Sequence, residues 1–134
     1  MAPERTGTLP LENEQHIVVS RQVVRALCQM LKFSLVDQTK MVTAASELSR
    51  NTLVHGGGGR MHWDVREDGM RRGLQLRFED EGPGIADLQL AMSDGYTSGG
   101  GMGLGLPGSK RLVSEFDLRS TPGQGTCVSI LKWK

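Results

Sequence analysis

The chain has 134 residues, 37% hydrophobic and 23% charged, a length that suits one folded unit whose core needs neither disulfide nor metal staples. Lys and Arg number 16 against 15 Asp and Glu, and this formal charge of +1 leaves no basic footprint for nucleic acid. No apolar run nears the roughly 20 residues of a membrane span, and the opening MAPERTGTLPLENEQ has no signal core, so the expectation is a cytoplasmic protein off the membrane, with Cys28 and Cys127 as buried thiols.

Residues 1–15 read as a polar arm or short edge strand, and His16 to Val19 as a brief β-type run. Ser20 then fits the N-cap of a helix whose Val23, Val24, Leu27, Cys28 and Leu31 form one apolar face. Asp37 fits the cap of a second helix that runs to about His55 and closes on Gly56. The buried stripe of that helix is Met41, Ala44, Ala45, Leu48 and Thr52, and Glu47 and Asn51 lie side by side along one flank of it. Arg50 and Ser46 lie further round, toward solvent.

Two alternating strands follow, through Met61–Val65 and Leu74–Phe78, with a turn at residues 67–69. Asp80 is in phase with Leu74, Leu76 and Phe78, so its carboxylate points toward the helices, where burial costs several kcal/mol unless a partner meets it. Residues 86–104 have no periodic pattern and suit a lid or binding loop. Pro107 precedes a third helix over Lys110 to Glu115, and a hairpin closes the chain with strands at Asp117–Ser120 and Thr126–Trp133.

The 18 glycines are nearly twice the usual share of about 7%, and they cluster at residues 56–59 and 99–108. Gly103 to Gly108 matches G-x-G-x-x-G, yet Ser-Gly-Gly-Gly precedes it where a dinucleotide-binding fold requires a strand. Ser109-Lys110 reverses the order a P-loop needs. Closely spaced backbone N–H groups beside a helix start still suit phosphate.

Four features in order carry a family resemblance: ASELSRNTLVHG on the second helix, DEGPGI at the strand end, GGGMGLGL after the loop, and Thr126 behind Gly125. Together they resemble the N box, the two glycine boxes and the final threonine of the GHKL ATPase/kinase superfamily, which holds Hsp90, gyrase B, MutL and histidine kinases. The resemblance spans residues 16–133 and implies a Bergerat-type fold: a two-layer α/β sandwich with helices on one face of a mixed, mostly antiparallel sheet. It implies ATP with Mg2+ between helix and sheet.

In that reading Asp80 accepts a hydrogen bond from the adenine amine, Gly82, Gly84 and Ile85 lie against the purine, and Thr126 reaches the same pocket. Asn51 is the metal ligand and Glu47 the base. Ser98, Gly99 and Gly100 of the lid, with Met102 and Leu104, join the nucleotide-binding set, and Gly101, Gly103 and Gly105 wrap the phosphates. Arg50 and His55 join the binding set, beside their plain reading as surface side chains.

The chain stops soon after the sheet, and no phosphoacceptor histidine lies just before Glu47. The small serine-kinase branch that resembles bacterial anti-sigma-factor kinases, and within it the stressosome switch kinases, fits best. That resemblance implies phosphorylation of a STAS-domain partner and activation of a PP2C-type phosphatase. The glycine-rich Thr97–Gly101 stretch departs from it, since more hydroxyl residues are expected there. Two alternatives stand beside it: an anti-sigma factor that sequesters a sigma subunit, and a non-catalytic nucleotide-dependent switch. A homodimer is left open.

Overall fold

The computed structural model describes residues 3–85, 92 and 105–134. The strands are β1 (Thr6–Leu11), β2 (Gly59–Asp68), β3 (Arg71–Asp80), β4 (Glu115–Thr121) and β5 (Gly125–Trp133); the helices are α1 (Glu14–Met30), α2 (Leu35–Val54) and α3 (Gly105–Arg111). The sheet runs β1-β2-β3-β5-β4, and all four pairings are antiparallel, in line with the expected mostly antiparallel sheet but with no parallel pair among the described strands. Alternation divides the sheet into two faces. Leu74, Leu76 and Phe78 of β3, Met61 of β2 and Val128 and Ile130 of β5 are buried against Val24, Leu27, Met41, Ala44 and Leu48 of the two long helices. The α2 stripe read from the sequence is the buried face of that helix.

Three helix boundaries differ from expectation. The run His16–Val19 is helical, because Asn13 caps α1: its Oδ1 accepts the His16 N–H at 3.0 Å. Burial of Ile17 at 1% exposure outweighs the β-preference of Ile17-Val18-Val19. Ser20 is thus an interior residue and not a cap; its hydroxyl donates to Ile17 O at 2.7 Å and meets Ser49 Oγ of α2 at 3.1 Å, a buried polar link between the helices. In α2 the cap is Ser34, whose Oγ accepts from Asp37 N at 3.1 Å, so Asp37 lies in the first turn. The third helix starts at Gly105, with Pro107 in its first turn, and ends before Glu115, which opens β4.

The turn between β2 and β3 is shorter than expected. Asp68 pairs with Arg71, leaving Gly69 and Met70 as the loop, with Gly69 at φ +62°. Cys28 is fully buried as expected, and burial pushes its thiol up to about 12, so it stays protonated and unreactive. Cys127, expected buried, is only half-buried on the face away from the helices. No described helix is long and apolar enough to cross a membrane.

The face away from the helices is held by polar side chains. Thr8 Oγ1 meets His62 Nδ1 at 2.8 Å, His62 Nε2 meets Glu79 Oε1 at 2.7 Å, and Arg60 Nε donates to the same oxygen at 2.7 Å. The His62 hydrogen bond, then Arg60, holds the Glu79 carboxyl below its ordinary 4.5. A depressed carboxyl adds stability above its unfolded pKa and loses it as pH falls through the folded value. E79Q should therefore lower the melting temperature at pH 7 and narrow the difference between wild type and variant below about pH 4, read by thermal denaturation across pH. A constant difference would contradict the assignment.

Candidate functional site

One row of the sheet gathers the candidate residues. Gly59 of β2 pairs with Asp80 of β3, Asp80 with Thr126 of β5, and Thr126 with Ser120 of β4. Residues directly opposed on antiparallel strands point to the same face. Asp80, Thr126 and Ser120 are therefore neighbours on the helix-facing side, at the end of the sheet where β3 stops. All three are half-buried.

The chain closes around Asp80 with backbone. Its Oδ1 accepts the Gly82 N–H at 2.9 Å. Gly56, just past α2, lies so close that a Cβ there would sit 2.3 Å from the Asp80 carboxyl carbon. Glycine stands at 56 for that space, and the left-handed residues of the helix exit are Gly57 and Gly58 at φ +74° and +106°. Gly82 in turn packs on Gly56, whose carbonyl oxygen would be 2.6 Å from an added Cβ. The bare face of Gly82 is thus turned to protein backbone and not to an open cleft. Gly84 has φ +76°, and its missing Cβ would point at Thr121 O.

The hydroxyl of Ser120 fastens this corner. Its Oγ accepts from Ile85 N at 2.7 Å, meets Thr126 Oγ1 at 3.0 Å and lies 3.1 Å from Gly125 O. Gly123 N donates to Pro83 O at 2.7 Å, so the segment after Asp80 is tied twice to the β4–β5 hairpin. Sequence reasoning assigned no role to Ser120. The signal was available, since Ser120 continues the alternation of half-buried Phe116 and Leu118.

Glu47 and Asn51 lie one turn apart on α2, both half-buried. The Asn51 carbonyl accepts from both His55 N and Gly56 N, at 2.9 and 3.2 Å, so its backbone sets where Gly56 meets Asp80. Glu47 also lines an open groove of about 430 Å3 between α1 and α2, with Arg21 and Arg25 across from it. Arg50 is exposed and pairs with Glu14 of α1 at 3.2 Å, and His55 is the exposed C-cap of α2; neither is brought to the Asp80 row by any contact of the described structure. Ser98, Gly99, Gly100, Gly101, Met102, Gly103 and Leu104 lie outside the described residues; Gly105 opens α3. Among the described residues no cluster of three or more His, Cys, Asp or Glu could hold a metal, so a cation here would rely on amide and ligand oxygens.

The chain matches the family model "Histidine kinase-, DNA gyrase B-, and HSP90-like ATPase" over residues 36–134. It is 43% identical over 120 residues to the serine/threonine-protein kinase RsbT of Bacillus subtilis (strain 168), covering 90% of each chain. It is 29% identical over 133 residues to an anti-sigma F factor of Clostridium novyi (strain NT), covering 91% of this chain and 89% of that one. Among solved structures, the RsbU and RsbW domains of Rv1364c from Mycobacterium tuberculosis align with a TM-score of 0.69 at 18% identity, over 99% of this chain and 34% of that longer one. That likeness concerns the fold.

The packing around Asp80 separates two glycine substitutions. G56A should cost about 2–3 kcal/mol, because its Cβ overpacks against the carboxylate. G57A meets open space and should cost about 1 kcal/mol through its left-handed φ alone. Urea denaturation reads both, and G57A proving the costlier would contradict the close approach at Gly56.

Proposed function

Because this chain belongs to the histidine kinase-, DNA gyrase B- and HSP90-like ATPase family, we propose that it is a protein-serine/threonine kinase that passes the γ-phosphoryl group of ATP to a hydroxyl on a STAS-domain partner. Released from that partner, it activates a PP2C-type phosphatase. The reaction takes place in the cytoplasm.

The observation that carries the reading is the inward Asp80 opposed by Thr126 at the end of the sheet, walled by Gly56 and Gly82. A carboxylate is acceptor-only and has capacity beyond the Gly82 N–H, its hydrogen-bond donor among the described residues. An adenine amine supplies the missing donor and offsets the burial of the charge. Ile85, held to Ser120, closes the purine side.

The phosphates then lie toward α2. The half-buried carboxamide of Asn51 is a neutral oxygen donor of the kind Mg2+ accepts beside waters and phosphate oxygens, so Asn51 would hold that ion. The ion supplies charge neutralisation at the phosphates. Glu47, one turn away, takes the proton of the attacking hydroxyl. The new O–P bond forms as the γ-phosphorus separates from its bridging oxygen, and ADP leaves.

Intact-mass measurement of a STAS-domain partner after incubation with this chain and Mg-ATP tests the reading. One phosphate should be gained, and E47Q should keep ADP affinity while slowing transfer by about 10²–10⁴-fold. Full transfer by E47Q would remove Glu47 from its role. The anti-sigma F factor relatives favour a second reading, sequestration of a sigma subunit. Retention of a sigma factor with no phosphate gained on a STAS protein would select it. Phosphatase activation that persists in E47Q, with no transfer by wild type, would select a nucleotide-dependent switch without catalysis.

A further inference from the structure

The helical layer carries a groove that the Asp80 site does not use. A short connection joins α1 to α2, so the two helices run antiparallel, and the open space between them measures about 430 Å3. Val18 and Val42 give it an apolar lining. Arg21 and Arg25, one turn apart on α1 and both exposed, form a cationic wall, and half-buried Glu47 lies across from them on α2. The Ser20–Ser49 contact sets the register of the two helices. Arg21, next to that contact, is nearer the level of Glu47, and Arg25 lies about 6 Å further along, toward Val42.

These charges are unspent. Arg5, Arg50, Arg60, Arg71 and Arg119 each pair with an acid of this chain. Arg21, Arg25 and Glu47 enter no ion pair or side-chain hydrogen bond among the described residues. A guanidinium is a planar donor that matches a carboxylate. A groove of this size takes a few side chains of a partner, not a folded domain. Its opposed charges also fix how a segment enters, since an acid is drawn to α1 and repelled from Glu47.

We propose that the groove seats the acceptor segment of the substrate protein, with Arg21 and Arg25 holding a carboxylate of that segment about one helical turn from the hydroxyl that faces Glu47. The inference rests on the kinase reading and adds to it a sequence requirement on the substrate. On a helical segment, groups one turn apart are three or four residues apart. Arg21 and Arg25 are thus specificity-determining residues that bind the partner and take no part in the transfer of the phosphoryl group.

The test is the initial rate of phosphate gain by a STAS-domain partner, read by intact mass with Mg-ATP at varied partner concentration, for wild type, R21A, R25A and R25E. R21A and R25A should each raise the KM for the partner about tenfold and leave kcat within about twofold, because they remove binding common to ground and transition states. Calorimetric titration of ADP reports whether each variant keeps its folded nucleotide site. If an alanine variant does not, R25K, which keeps the charge without the planar fork, should read an intermediate KM. The phosphorylated residue should have an Asp or Glu three or four positions away, and changing that acid to Lys should restore transfer by R25E.

Unchanged KM in R21A and R25A, a loss confined to kcat, or an acceptor with no acid within that span would overturn the inference, while wild-type transfer would leave the kinase reading standing. No phosphate gained with wild type would overturn the kinase reading, and this inference with it.

Discussion

A carboxylate facing inward at the end of β3 is the constraint around which the candidate site of this protein is arranged. Asp80 follows Leu74, Leu76 and Phe78 on the buried face of the sheet, where a charge is unfavourable without donors. Two separate stretches of chain approach it as bare backbone. Gly56 comes from the exit of α2 and lies against the carboxyl group, and Gly82, in the segment after β3, donates its N–H to it. Gly125, at the start of β5, lies instead against the Asp80 backbone carbonyl. A 6-aminopurine donor completes this arrangement in the proposed function.

The rest of the fold keeps that corner in place. Antiparallel register puts Thr126 and Ser120 beside Asp80, and the hydroxyl of Ser120 secures Ile85. On the helical side, the Asn51 carbonyl fixes Gly56 through two N–H groups, which ties the helix that carries Glu47 to the wall of the Asp80 site. The buried Ser20–Ser49 contact joins α1 to α2 within the helical layer. The opposite face of the sheet is bound by the Thr8–His62–Glu79–Arg60 chain and faces away from the site. The candidate site and this solvent-facing polar chain thus lie on opposite sides of one sheet.

What could be read without coordinates was what periodicity governs. Alternation along β3 placed Asp80 inward, alternation along β5 placed Thr126 beside Val128 and Ile130, and the 3.6-residue repeat of α2 set Glu47 and Asn51 together at the edge of the core. Boundaries fared worse, because they depend on competition between caps. Asn13 and Ser34 each capture an N–H three residues on, while Ser20 and Asp37 were plausible caps by type. The Ile17-Val18-Val19 run became helix because burial of Ile17 outweighs local β-preference. Gly56 looked like a helix terminator by position, yet its glycine is required by a carboxylate 24 residues further along the chain, a contact no local pattern reports. Ser120 escaped notice for a related reason, since its partners Ile85 and Thr126 come from different strands and loops.

In the proposed function Asp80 is held inward to receive a donor from a purine. Calorimetric titration of ADP into wild type and D80N tests this role. Replacing the carboxylate by a carboxamide keeps the shape and removes the charge-assisted acceptor, so D80N should lose at least about tenfold in ADP affinity while unfolding at nearly the same urea concentration. Equal ADP affinity in wild type and D80N would contradict it.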